Sequence, residues 1–352
     1  KPKYDINLEI IFPSINTFIE YLQKIIKKYT ISEYELINTT ILDIVDFDLE
    51  KNKGVKIDNK YKSISEKYPS IKQYLIDIYP YYSELGILNA LESIKLFTNE
   101  FSDKMKYYCI NGGMAQLVEL LYIKLKTKKN IKIYKECPLE NIVKISNTKN
   151  TQELYAKISH TYYNIICGDN NKINTINIIL AIPKNKLIHI DYLTRHKNIY
   201  KNINSVQNEP LYRIYAQYPL NVKTGKVWFD GMEKISTNLP IKYSIPINYK
   251  QGIIMISYTD SKFANYWTNK VIKGNFETTL NKQLKQLFPN SDIPKAIWFK
   301  HCSWVSGAGY WKKGSDRKLI IKEMIQPINN ESIYICGENY SSHQAWVEGA
   351  LE

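Results

Sequence analysis

The chain has 352 residues, 44% of them hydrophobic, which is enough for one large or two ordinary globular domains. Its formal net charge is +14, but the lysine-rich run from Lys124 to Lys135 is typical of a solvated helix end and loop, so nucleic acid is not an expected partner. The five cysteines form no C-x-x-C pair, which argues against a disulfide scaffold and favours a reducing, cytoplasmic compartment. The five histidines are scattered, which argues against a metal site. No apolar run reaches about 18 residues, so a membrane span is not expected.

The first part of the chain is predicted to be helical. Residues 14–30 carry apolar side chains at helical spacing behind Ser14, a residue type that caps helix starts. Residues 62–104 have a similar character, with breaks at Pro69 and Pro80, since proline ends or kinks a helix. The apolar positions of the first stripe are Ile15, Phe18, Ile19, Leu22, Ile25 and Ile26.

From Gly112 onward the pattern changes to strands mixed with helices. Gly112 and Gly113 predict a turn that opens a helix, and a second helix is predicted over 276–288. The predicted fold class is therefore α/β, in the mixed α+β sense, with two interleaved domains, because no linker or repeat separates tandem ones. Strands are predicted from runs rich in β-branched and aromatic residues at 130–146, 153–159, 175–183, 211–218, 226–230 and 252–259.

The last stretch of the chain, "SIYICGENYSSHQAWVEGALE", carries the clearest local signal. A short apolar strand over 333–336 runs directly into Gly337 and Glu338, and a helix with Trp346 in its first turn is predicted from about Gln344. Backbone N–H groups at a helix start bind anionic groups, so this arrangement predicts a ligand there. Elsewhere no G-x-S-x-G or Walker sequence occurs, and "SGAGYWKKG" has neither the spacing nor the strand–helix context of a phosphate loop.

Five stretches, taken in order, resemble successive blocks of the flavin-containing amine oxidoreductases, the monoamine and polyamine oxidase group. They are "INGGMAQLVELL", "NIILAIPKNKL", "GIIMISYTDSKFANYW", "HCSWVSGAGYW" and "IYICGENYSSHQAWVEGALE". The resemblance covers residues 105–352 and is less specific over the helical start. It implies a discontinuous FAD-binding domain of residues 105–190 and 295–352, interleaved with a substrate-binding domain of residues 1–104 and 191–294 that holds mixed sheet and helices.

The resemblance also implies which residues contact a noncovalent FAD. Gly337 would let the backbone approach the diphosphate and the ribityl chain, because glycine has no side chain. Glu338 would orient the neighbouring loop or the ribityl hydroxyls, and Val143 lies where a strand backbone touches the adenine. The cofactor is expected to be noncovalent because Gly309 occupies the position at which some members tether FAD through a cysteine.

The helix start that follows is expected to contact the flavin ring. Ala345, Trp346 and Val347 lie there in the family pattern, with the Val347 N–H directed at the pyrimidine end, where negative charge gathers on reduction. Tyr310 and Trp346 match the two walls of the aromatic cage that guides the amine nitrogen and holds its α-carbon hydrogen near flavin N5. The family's lysine beside N5 has no match in this chain, and its block offers Arg213 instead.

The implied function is that of an FAD-dependent amine oxidase. Hydride leaves the carbon next to a neutral amine for the flavin, the resulting imine is hydrolysed, and O2 reoxidises the flavin with release of peroxide. The expected partners are thus a small-molecule amine and O2. Two alternatives remain open: a flavin desaturase or oxidase of apolar substrates, and a non-catalytic structural or interaction protein that keeps the fold.

The family's first strand, G-x-G-x-x-G turn, helix and acidic residue have no counterpart in the sequence. We therefore expect the natural gene to encode about 50 to 100 further residues upstream that supply this βαβ unit. Without it, the strands at 139–146, 177–182 and 333–336 are expected to border an uncovered groove beside the 344–352 helix. Residues 1–352 alone are then expected to hold FAD poorly.

Overall fold

The N-terminal part of the protein is helical, as its sequence predicts. The computed structural model describes residues 15–51, 71–77, 82–101, 108, 110–145, 162–168 and 171–352. The first helices within these ranges are α1 (Ile15–Tyr29), α2 (Glu33–Ile37), α3 (Ile41–Lys51), α4 (Ile71–Asp77), α5 (Tyr82–Gly86) and α6 (Ala90–Asn99). Ser14, Pro69 and Pro80, which were expected to cap or break these helices, lie outside the described residues.

Helix ends and faces in this part follow from the local sequence. Ser32 caps α2 and forms a capping box with Glu35, in which each side chain accepts a hydrogen bond from the other residue's backbone N–H. The Asn89 side chain accepts a hydrogen bond from the Glu92 N–H and caps α6. One face of α1, with Phe18 at its centre, is buried against apolar residues of α3 to α6, so these helices share one core.

The rest of the chain alternates between short helices and the strands of three sheets. In order, it forms α7 (Ala115–Lys126), β1 (Leu139–Ile145), β2 (Tyr162–Cys167), β3 (Asn171–Thr175), β4 (Ile178–Leu180), α8 (Lys184–Leu187), α9 (Asp191–Thr194), α10 (Lys197–Ile203), β5 (Val206–Gln217), β6 (Ile235–Ser236), β7 (Tyr243–Asn248), β8 (Ile253–Asp260), α11 (Ser261–Ile272), α12 (Phe276–Leu287), β9 (Trp298–Trp311), α13 (Arg317–Ile325), β10 (Ile333–Ile335) and α14 (Val347–Leu351). The protein is therefore a mixture of helices and sheets, in line with the predicted α/β class.

The largest sheet is antiparallel and has the strand order β6-β7-β8-β5-β9. In the interior strand β5, which lies between β8 and β9, Tyr212, Ile214 and Ala216 are buried in a core that α11 and α12 cover. Because successive residues of a strand point to opposite faces, Arg213 and Tyr215 lie on the other face of the sheet. That second face borders the candidate site.

The two smaller sheets divide the strands that were expected to lie at the cofactor. β1, β2 and β3 form an antiparallel sheet in that order. β4 pairs with β10 in parallel, with Ile178 opposite Ile333 and Leu180 opposite Ile335. The strand at 139–145 thus belongs to a different sheet from the strands at 178–180 and 333–335.

Three predicted elements differ from the observed ones. Residues 226–230 form turns rather than a strand, with the Asp230 N–H donating to the Val227 carbonyl. Residues 131–134 belong to no strand, so the strand predicted over 130–146 begins only at Leu139. The last helix begins at Val347 rather than near Gln344, because Ala345 has a φ of 66°, which a right-handed helix excludes. The strand predicted at 153–159 lies outside the described residues.

No helix in the described ranges is long and apolar enough to cross a membrane. The longest of them, α1, has 15 residues and alternates buried apolar with exposed charged positions, whereas a membrane span needs about 20 mainly apolar residues.

Candidate functional site

The turn after β10 has a backbone conformation that favours glycine. Gly337 has a φ of 110° and a ψ of 167°, a region that residues with a Cβ rarely enter. A Cβ built on Gly337 would meet no atom within 4 Å. The peptide at Gly337 therefore borders open space.

The Glu338 carboxylate joins two distant segments of the chain. Its Oε2 atom accepts a hydrogen bond from the Ala345 N–H at 3.0 Å and one from the Gly309 N–H at 3.4 Å. Burial raises the pKa of Glu338, and these backbone donors together with the Asn339 amide oppose the rise. Glu338 thus holds the loop before α14 against the end of β9.

Sequence reasoning misses Asn339, which extends this network. Its Oδ1 atom accepts hydrogen bonds from the Lys184 N–H at 2.7 Å and from the Asn208 amide at 3.3 Å, and its Nδ2 donates to Glu338. A Cβ on Gly309 would come within 2.5 Å of the Asn339 Nδ2 atom, so a glycine at that point lets β9 approach the amide. The available sequence signal is only the position of Asn339 beside Glu338.

The residues that were expected to contact the flavin ring lie at the start of α14. The Ala345 N–H is bound to Glu338, so it does not point to a ligand. Trp346 is the N-cap residue and Val347 is the first helical residue; the Trp346 side chain is 38% exposed. Because α14 has five residues, its aligned peptide dipoles amount to little more than one turn.

Val143, the residue expected at the adenine, lies elsewhere in the fold. It is an exposed residue of β1 and pairs across the strands with Asn164 of β2. The structure therefore places Val143 in the three-stranded sheet, whereas the other predicted cofactor residues lie in the turn after β10 and at the start of α14.

Tyr310 lies at an acidic cluster that connects the large sheet with the helical part. Its ring is only 6% exposed, and its hydroxyl donates to the Glu84 carboxyl of α5 at 3.4 Å. Asp260, at the end of β8, accepts a hydrogen bond from the Ser83 N–H at 3.3 Å. Glu209 of β5 is also buried and lies close enough to Asp260 to raise its pKa. We call Glu84, Glu209 and Asp260 the acidic cluster.

Burial controls the protonation of the acidic cluster. It raises the pKa of Glu84 to about 8, and the neighbouring Asp260 acts in the same direction. It raises the pKa of Asp260 to about 6, although hydrogen bonds from Ser83 oppose the rise. Neither acid forms an ion pair within the described part of the chain, so at neutral pH Glu84 keeps its proton. No group of three or more His, Cys, Asp or Glu side chains among the described residues could hold a metal ion.

Trp346 meets a different acid. Burial raises the pKa of Glu100, at the end of α6, and both the nearby His343 and a hydrogen bond from Trp346 oppose that rise. The two aromatic residues expected to form the cage therefore approach neighbouring helices, Tyr310 at α5 and Trp346 at α6. Their arrangement as a cage stays a prediction.

Arg213 lies in an aromatic setting on the open face of the large sheet. Its guanidinium carbon is 4.8 Å from the centre of the Tyr258 ring and 5.8 Å from the centre of the Trp304 ring. Burial lowers the pKa of Arg213, but the phenols of Tyr258 and Tyr215 raise it by more, so the side chain keeps its charge. Tyr258 pairs with Arg213 across β8 and β5.

Sequence reasoning also misses the acidic cluster and Tyr258. Glu84 lies in the helical part, whose sequence carries no motif. Asp260 directly precedes α11 and has the composition of an N-cap, but its side chain makes no cap hydrogen bond and binds Ser83 instead. Only the fold shows that this aspartate is not needed by its own helix.

Apolar side chains are exposed on α7 and on β4. α7 has no buried residue, and its Val118 is 67% exposed. Ile179 of β4 is 69% exposed, although parallel strands are normally covered on both faces. Among the described strands, β4 and β10 pair only with each other. Both outer edges of this two-stranded sheet are therefore unpaired within the described ranges.

Comparison with known proteins gives little guidance on activity. No family model matches the chain. An uncharacterized protein of Acanthamoeba polyphaga mimivirus is 24% identical over 203 residues, which make up 51% of this chain and 38% of that protein. The chain is therefore similar to a much longer viral protein, of which it spans well under half.

Proposed function

We propose that this protein is an FAD-dependent amine oxidase-like oxidoreductase. Residues 105–190 and 295–352 would form the FAD-binding domain, and residues 1–104 and 191–294 the substrate-binding domain. The observation that carries the proposal is the joining of two sequence blocks that resemble that family. Glu338 of the last block accepts a hydrogen bond from the Gly309 N–H, and the Gln344 side chain accepts one from the Trp311 N–H at 2.9 Å.

The residues at the turn after β10 suit the cofactor. The open space beside Gly337 would admit a diphosphate or ribityl chain close to the backbone. Trp346 and Val347 would face the flavin ring, and Glu338 would position the loop that carries them. Bound FAD would supply the acceptor for the two electrons and the hydrogen of the substrate's α-carbon–hydrogen bond, with O2 as the final oxidant.

The acidic cluster supplies the proton chemistry that such a substrate needs. An amine arrives in water mostly as an ammonium ion, whereas the reaction requires the neutral amine. Asp260, whose pKa burial raises to about 6, is ionised at neutral pH and can accept that proton at a carboxylate oxygen. Tyr310, hydrogen-bonded to Glu84, would form the adjacent wall and restrict the orientation of the amine.

A flavin spectrum combined with two cage variants tests the proposal. The purified full-length gene product should show flavin absorbance and release peroxide from at least one amine in a panel. Tyr310→Ala and Trp346→Ala should lower that turnover by about tenfold or more while flavin content stays near that of the wild type. Absence of flavin from the full-length product, or loss of flavin in both variants, would contradict the proposed site.

The open apolar surface favours a second candidate, a non-catalytic interaction protein with the same fold. Exposed apolar residues such as Val118 and Ile179 are typical of a surface that another segment or protein covers. Under the oxidase proposal, this cover is a βαβ unit that would also bind the adenosine half of FAD. Full-length protein that lacks flavin but binds a partner through α7 would favour the second candidate. The acidic cluster beside Tyr310 disfavours an oxidase of apolar substrates.

A further inference from the structure

Cys137 and Cys167 lie side by side where β1 begins and β2 ends. Leu139, the first residue of β1, pairs with Cys167, the last residue of β2. The two segments are joined by one further hydrogen bond, from the Gly168 N–H to the Pro138 carbonyl at 3.1 Å. Cys137 directly precedes Pro138, so it lies beside the end of β2 although the two cysteines are 30 positions apart in the chain.

The two thiols interact with each other. Burial raises the pKa of Cys167 to about 11, and a hydrogen bond with Cys137 and the charges of Cys137 and Glu140 add to the rise. Both cysteines are free thiols. No group of three or more His, Cys, Asp or Glu side chains in the described ranges could hold a metal ion, so the pair is not part of a metal site. The Cys302 thiol instead lies near the Tyr212 hydroxyl.

The two thiols differ in access and in protonation. Cys137 is partly exposed, whereas Cys167 is buried. Peroxides react with a thiolate rather than with a thiol, and the raised pKa of Cys167 keeps that residue protonated at neutral pH. Cys137 is therefore the sulfur that an oxidant in solution reaches first. Cys167 is placed to react with the oxidised Cys137.

We propose that Cys137 and Cys167 form a reversible disulfide when the protein meets hydrogen peroxide. The Cys137 thiolate attacks one peroxide oxygen and the O–O bond breaks, which leaves a sulfenic acid on Cys137 and a hydroxide that takes up the proton Cys137 released. The Cys167 sulfur then attacks the Cys137 sulfur, the S–O bond breaks, and the leaving hydroxide takes the Cys167 proton. The two thiols lose two electrons and two protons in all, and one peroxide becomes two molecules of water.

The disulfide would tie the connection between α7 and β1 to the end of β2. Residues 127–136 of this connection are exposed, and α7 has no buried residue. A cross-link between positions this far apart restricts the unfolded chain, so it should raise the melting temperature by about 3 to 6 °C in a protein of this size. The inference does not rest on the proposed function, because added peroxide is sufficient. Under that proposal, the peroxide that the protein releases would be a second source of oxidant.

Oxidation of the purified full-length protein tests the inference. Reduced protein, freed of reductant, is treated with hydrogen peroxide, alkylated and digested with trypsin. Mass spectrometry should find the peptides of Cys137 and Cys167 joined, and dithiothreitol should separate them. The melting temperature should rise by about 3 to 6 °C on oxidation and return on reduction. Cys137→Ser should abolish both effects, and Cys336→Ser, the matched control at an exposed cysteine, should behave as the wild type.

The outcomes separate this inference from the oxidase proposal. A joined peptide in a protein without flavin would support the disulfide and refute the oxidase. Cys137 that reaches sulfinic or sulfonic acid without a joined peptide, or that pairs with a different cysteine, would overturn the inference. The same holds if the melting temperature still rises on oxidation of Cys137→Ser, or if both thiols survive millimolar peroxide. If Cys137→Ser fails to fold, the joined peptide of the wild type decides, because that measurement needs no variant.

Discussion

Replacing Glu338 with alanine should destabilise the protein by about 3 kcal/mol. Its carboxylate accepts backbone hydrogen bonds from Ala345 and Gly309 and a side-chain bond from Asn339. A hydrogen bond to a charged group contributes about 1.5 to 3 kcal/mol. The expected loss of stability is smaller than the sum of three such hydrogen bonds for two reasons. The bond to buried Gly309 is long at 3.4 Å, and water can replace the carboxylate at exposed Ala345.

Urea unfolding followed by circular dichroism measures this effect. Glu348→Ala removes an exposed carboxylate from the same C-terminal segment and serves as the control. Glu338→Gln keeps a carbonyl oxygen that can accept both backbone bonds, so it should recover about half of the lost stability. A shift of the unfolding midpoint in Glu338→Ala no larger than that in Glu348→Ala would refute the reasoning, because the two backbone donors would then not depend on the carboxylate.

Two further substitutions test packing and protonation. Gly349→Ala should lower the unfolding free energy by about 1 to 3 kcal/mol in the same assay, because the new Cβ would lie 2.3 Å from the His343 carbonyl oxygen. Gly86→Ala is the control and should lower it less, because its Cβ meets a movable methyl group at 3.1 Å. Equal losses in the two variants would contradict this reasoning. The pKa of Glu84 is near 4.5 in the unfolded chain and about 8 in the folded protein, so the unfolding free energy should fall as pH rises from 4.5 to 8. This fall should be shallower in Glu84→Gln. Parallel pH profiles of the variant and the wild type would show that this carboxyl is not the cause.

The elements that sequence predicts well are those fixed by short-range pattern. α1 follows from an apolar stripe at helical spacing, and β5 and β8 follow from β-branched and aromatic runs. The failures are equally local in origin. The strand predicted around Val227 and Phe229 is wrong, because these alternating apolar residues lie in a turn and place their side chains in the core. α14 begins only at Val347 because of the positive φ of Ala345, and no residue pattern predicts that angle.

The candidate site is predictable only in part because its residues come from separate elements. The turn at Gly337 stands out in the sequence since a strand ends there in glycine and an acid. The bond between Tyr310 and Glu84 joins residues 226 positions apart, and neither residue type is unusual in its own segment. Arg213 was expected only from its place in a family block, and its position against Tyr258 and Trp304 depends on which strands flank β5.

Adjacent residues of β9 connect the two halves of the proposed site. The Gly309 N–H donates to Glu338 in the turn that would hold the cofactor, and the next residue, Tyr310, donates to Glu84 in the acidic cluster.

This arrangement bears on the choice between an oxidase and an interaction protein. Glu84 is buried and Asp260 is partly buried, and neither forms an ion pair among the described residues, so burying these acids costs stability. An interaction surface on α7 gains nothing from that cost. A ligand site beside Tyr310 does gain from it, because buried acids with raised pKa values can exchange protons with an amine near neutral pH. The acidic cluster therefore favours the proposed oxidase over the proposed interaction protein.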